Sequence, residues 1–95
     1  MAQEKTLLIE ELLKQTSAAH GEYETTVLNG VYDQEWAAWY ARWAVEHGLN
    51  DLVKQPMDAE QWSQILTHLN EQHQQTDHQQ TWAEFTAQQI AITYT

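Results

Sequence analysis

Ninety-five residues with 14 acidic and 4 basic side chains carry a formal net charge of −10. That excess disfavours nucleic-acid binding by phosphate neutralisation and disfavours anionic membrane surfaces. The absence of cysteine excludes disulfides and thiolate metal sites. No apolar run approaches the roughly 18 residues of a membrane span. Three glycines, one proline and helical periodicities point to an all-α protein, a single domain over residues 1–95. The opening MAQEKTLLIEELLKQ is acidic and amphipathic, unlike a signal peptide. A cytoplasmic location fits this pattern and the lack of cysteine.

The first periodic segment runs from about Glu4 to Leu28. Leu8, Ile9, Leu12, Leu13, Thr16, Ala19, His20, Tyr23 and Val27 share one stripe, with Glu10, Glu11, Lys14, Gln15 and Ser17 opposite. Asn29-Gly30 is a hairpin signal, but it also suits a left-handed helix cap. The cap is preferred, because the helical period carries through Val27.

Asp33 to Gly48 predicts a second helix, with Asp33 as N-cap, Glu35 at its positive end and Gly48 just past its C-terminus. Trp36, Trp39, Tyr40, Trp43 and His47 form one stripe, and Ala37, Ala41, Ala44 and Val45 lie beside it. Only Ala38, Arg42 and Glu46 remain for solvent. The large rings are expected in the core, with Trp39 and Trp43 largely buried. The functional alternative is an aromatic ligand or interaction surface made by Trp36, Trp39, Tyr40, Trp43 and His47.

Leu49 to Gln55 predicts a short helical turn capped by Asn50, with Leu49, Leu52 and Val53 over the core. Pro56 breaks the chain. Asp58 and Gln61 form a capping-box pattern before a third helix with Trp62, Ile65, Leu66, Leu69, His73 and Thr76 on one stripe. The glutamine-rich Gln72–Gln80 reads as a helix end and a solvated connection. Thr81 and Glu84 form a second capping box, opening a helix with Trp82, Phe85, Ile90 and Ile92. The terminal Thr93-Tyr94-Thr95 is expected to fray.

The two halves look alike. Trp36-Ala-Ala-Trp-Tyr-Ala41 aligns with Trp82-Ala-Glu-Phe-Thr-Ala87 without a gap. Leu12-Leu13 aligns with Ile65-Leu66, and His20-x-x-Tyr23 with His73-x-x-Thr76. The interval from histidine to tryptophan differs, 16 residues in the first half and 9 in the second. The expected architecture is therefore four main helices arranged as two pseudo-repeated helical hairpins, bundle-like. His20-x-x-Tyr23, Val31-Tyr-Asp33, Trp36-x-x-Trp-Tyr-Ala41 and His47-Gly48-Leu49 together resemble a family of small, acidic, all-helical bacterial proteins of unknown function. The resemblance covers most of the first half and, more weakly, the second. It implies a fold and no catalytic residues.

His20 and His73 are the sharpest candidates for chemistry. Each lies on an apolar stripe near a helix end, as a metal ligand, a proton-transfer partner or a buried, hydrogen-bonded ring. Neither has the glutamate three residues earlier that a di-iron bundle requires. His68, His73, Asp77 and His78 form a looser cluster whose spacing does not converge three ligands. No His-Glu-x-x-His, phosphate loop, Gly-x-Ser-x-Gly or cysteine nucleophile occurs. No catalytic residue, cofactor or metal is therefore assigned. The expected role is a non-catalytic interaction or accessory module with a protein partner or self-association. The first alternative is a small-ligand or metal-binding protein using an aromatic and histidine pocket. The second is an acidic mimic occupying a basic nucleic-acid-binding surface.

Overall fold

The computed structural model describes residues 2–76 and 80–95. Among them the chain forms α1 (Ala2–Thr26), α2 (Trp36–Glu46), a 3₁₀ turn (Leu49–Leu52), α3 (Ala59–Gln74) and α4 (Trp82–Tyr94), with no strand. The fold is an all-α, bundle-like assembly. Its shortest dimension is 20 Å, which is two layers of helices about 10 Å thick. No described helix is long and apolar enough to cross a membrane.

Helix ends follow local chemistry. Asp58 and Thr81 each accept the backbone N–H of the residue three along, and Gln61 and Glu84 reach back to complete both capping boxes. Gly48 sits just past α2 at φ 107°, a left-handed position that favours glycine. Asn29 and Gly30, at φ 54° and 82°, are the centre of a turn closed by the Val31 N–H on the Leu28 carbonyl at 3.0 Å. This is the primed turn usual in hairpins, here used to leave a helix. The Gly30 N–H also returns to the Glu24 carbonyl at 2.8 Å, so the pair does help cap α1.

Several expectations are corrected. Helix α1 stops at Thr26, and Leu8 and Val27 are exposed instead of joining the core stripe. Asp33 is not the N-cap of α2. That place falls to Glu35, which makes no side-chain cap. Asn50 does not cap the short turn either. Its amide clamps both backbone groups of Met57, at 2.8 and 3.0 Å, and accepts the Trp62 indole N–H at 2.9 Å. Tyr94 is helical rather than frayed. Its carbonyl accepts the Lys54 N–H at 2.9 Å and its ring meets Trp62 edge-on.

The core is built from small faces. On α2 the buried residues are Ala37, Ala41 and Ala44, and on α4 they are Ala83, Thr86, Ala87, Ile90 and Ala91. Such faces let a neighbouring backbone come close. Accordingly α4 packs most extensively on α1, and α2 on α3, while helices consecutive in sequence within each half meet less. Ile9, Leu13, Leu49, Trp62 and Leu66 fill the interior. Trp39 and Trp43 are partly buried, and Trp43 packs against this interior from its edge. Trp62 is the tryptophan that loses all contact with water.

Candidate functional site: the aromatic and acidic corner

The 9-residue connection between α1 and α2, 27–35, is held in place from below by one imidazole. His20 is almost completely buried near the end of α1. Its Nε2 lies 2.9 Å from Asp33 Oδ2 and its Nδ1 faces Glu24 Oε1 at 3.6 Å. An ionised carboxylate can only accept, so Nε2–H donates to Asp33. The other Asp33 oxygen accepts the Glu35 N–H at 2.9 Å, and the Asp33 N–H donates to Glu24 at 3.3 Å. Asp33 thus ties the histidine to the start of α2, from a position two residues ahead of the cap. With its two ring nitrogens facing carboxylates of α1 and of the connection, this imidazole is a cross-link between elements.

Rings close over it. The imidazole centroid is 5.0 Å from Trp39 and 4.9 Å from Tyr40, and Tyr23 leans on Trp39 at 5.3 Å. The Tyr40 hydroxyl donates to Ser17 Oγ at 3.2 Å. Burial pushes the Tyr40 phenol above its ordinary value; the Ser17 hydrogen bond opposes this and the Glu24 charge adds to it.

The aromatic stripe predicted on α2 divides into groups with different neighbours. Trp36 and Tyr40 turn toward Trp82 at the start of α4, and the three rings meet nearly perpendicular to one another at 5.5–6.2 Å. Such edge-to-face contacts are favoured by the ring quadrupoles. Trp39 instead covers His20. Trp43 and His47 form a separate stack 3.6 Å apart near the far end of α2, with His47 Nδ1 on the Trp43 carbonyl at 2.8 Å.

A groove of about 290 Å³ runs along the first of these groups, lined by His20, Tyr32, Trp36, Tyr40, Asn70, Gln74 and Trp82. Beside it the connection leaves Val27, Val31 and Tyr32 at 60%, 64% and 69% exposure. Nothing in the sequence singles out Tyr32, Asn70, Gln74 and Trp82 as members of one site. The i, i+4 spacing of His20 and Glu24 is the one local signal that points to the corner.

His73 has a different setting. Its Nε2 lies 2.8 Å from the Gln80 carbonyl and its ring 5.4 Å from Phe85. The two histidines therefore have separate partners. Asp77 and His78 of the looser cluster lie outside the described residues. Among the described residues no group of three or more His, Asp or Glu is arranged to hold a metal. A larger cleft of about 540 Å³ lies between α3 and α4, with Gln61, Gln64, Gln72 and Gln89 over a floor that includes Ile65 and Leu69.

No family model, curated protein or solved structure matches the chain.

Proposed function

We propose that the protein is a non-catalytic interaction module that takes a basic protein partner at the corner between α1 and α2. The observation that carries this reading is the exposed apolar loop of Val27, Val31 and Tyr32 beside an aromatic groove. Exposed clustered apolar residues on a small domain mark contact surfaces. The loop is pinned at its base by His20, Asp33 and the Asn29-Gly30 turn, so little ordering cost remains for binding. The net charge of −10 selects a basic partner and speeds its approach.

The test is a photoreactive amino acid placed at Tyr32 in the native host. One basic protein should be captured there, and lost when Val31→Asp is added. Equal capture from a probe at Lys54, or no adduct from Tyr32, would refute the module reading.

We also infer that the two hairpins descend from one unit. The support is positional. Ile9, Leu13 and His20 stand 53 residues before Trp62, Leu66 and His73, and the first two pairs are wholly buried. Ala37 and Ala41 stand 46 before Ala83 and Ala87, buried to the same degree. His20 on Trp39 and His73 on Phe85 are corresponding ring pairs at 5.0 and 5.4 Å.

A small-ligand reading rests on the cleft between α3 and α4, whose lining of glutamines with His68 and Thr93 suits a polar molecule. Titration with such molecules, followed by chemical shifts of the glutamine side-chain amides, would support or dismiss it.

A further inference from the structure

We infer that the groove beside Tyr32 is a receptor for a cationic side chain, best an arginine, presented by the basic partner. This rests on the module reading above and adds the chemistry of its central contact. The groove brings aromatic rings and hydrogen-bond acceptors together. Tyr32 is open to solvent and lines the groove together with Trp36 and Trp82, and aromatic rings attract cations. Asn70 and Gln74 reach the same groove from α3, and their amide oxygens accept hydrogen bonds from a planar donor fork.

The stretches that form this end are acidic, with Lys14 of α1 within electrostatic reach of Glu84 and His20 facing Asp33 and Glu24. No Lys or Arg occurs from residue 20 to 41 or from 70 to 95, whereas Glu22, Glu24, Asp33 and Glu35 belong to the first stretch and Glu71 and Glu84 to the second. The helix ends do not reverse this. Helices α1 and α3 finish at this end of the bundle while α2 and α4 begin there, so their dipoles oppose one another and the side chains decide the field. Arginine is preferred to lysine because it stacks flat on a ring, is weakly hydrated and donates through a fixed fork.

The experiment uses the full chain with amide-detected NMR and a short arginine-containing peptide capped at both ends. The Trp36 and Trp82 indole N–H signals should shift saturably, while that of Trp62, sealed at the opposite end, stays put. The same peptide with citrulline, which keeps the shape and loses the charge, should bind at least several-fold more weakly. The lysine peptide should fall between them. Tyr32→Ala should weaken the arginine peptide by roughly two- to fivefold, as expected for an exposed cation–aromatic contact. Equal binding of the citrulline peptide, or shifts confined to Trp62, would overturn the inference. So would a wild-type protein that ignores the arginine peptide. If Tyr32 captures a basic protein in the host but the arginine peptide does not bind, this inference fails and the module reading stands. If the peptide binds in the groove but no protein is captured in the host, the cation receptor stands and the module reading fails.

Discussion

The two ends of the bundle each gather tryptophan, yet they treat it in opposite ways. At one end Trp62 is wholly buried, its N–H is held by Asn50, and Tyr94 and Leu49 help close the cluster. At the other end Trp36, Trp39 and Trp82 are not fully covered, and the buried indole N–H of Trp82 has no partner among the described residues. The first end has the pattern of a core, in which apolar area is removed from water and the indole N–H is answered. The second keeps large rings at the water boundary around a groove. Ring count alone therefore does not locate a core, since a surface built for contact uses the same residues.

Removing one ring from each end should separate them most clearly. Trp62→Ala should cost about 3–5 kcal/mol in urea unfolding, the usual range for a buried aromatic. Trp39→Ala, whose ring is already partly wet, should cost about 1–2 kcal/mol, in proportion to the smaller area lost. Equal losses would mean that the two ends are equally core.

The histidines supply the next test. His20→Ala removes a ring that bridges Asp33 and Glu24 in a nearly closed setting, and should cost about 2–4 kcal/mol. His73→Ala removes a half-buried ring whose Nε2 meets the neutral Gln80 carbonyl, and should cost less, about 1–2 kcal/mol. Unfolding of the two variants side by side would reveal an inverted order, which would contradict the cross-link assigned to His20.

Tyr40 gives a smaller, pH-dependent effect. Burial raises its phenol above the ordinary tyrosine value of about 10. The folded protein therefore favours the neutral phenol. That contribution is complete below the ordinary value and is lost as pH rises through the folded one. A late phase of tyrosinate absorbance should appear in the wild type and be missing in Tyr40→Phe. Smallest of all, Tyr32→Ala should change stability by less than about 0.5 kcal/mol, because the ring is mostly in solvent. A larger loss would assign Tyr32 to the core and remove it from the proposed surface.

Much of the fold is legible in the sequence because it depends on near neighbours. The two capping boxes, the left-handed Gly48 and the four helices all follow from spacings of a few residues. Which face is buried is less legible. The stripe of rings on α2 is the more hydrophobic by volume, but its alanine face allows another helix to come close, and packing density favours the small face. Asn50 has the position of a cap, yet its partners, Met57 and Trp62, lie across the Pro56 turn, where no periodicity reaches. The candidate corner shares that difficulty. His20 meets Asp33 from 13 residues away, and the groove draws on every helix as well as the connection.

The pairing of α1 with α4 constrains the order in which the molecule can be made. A ribosome releases α1 first, and the face holding Ile9 and Leu13 must wait for α4 before its principal neighbour exists. Helix α2 waits more briefly, for α3. Nascent chains carrying only the first hairpin therefore display unsatisfied apolar surface, a condition that attracts chaperones and promotes aggregation. Folding should then be completed in one late step rather than hairpin by hairpin, with the closure of the longest sequence separation coming last.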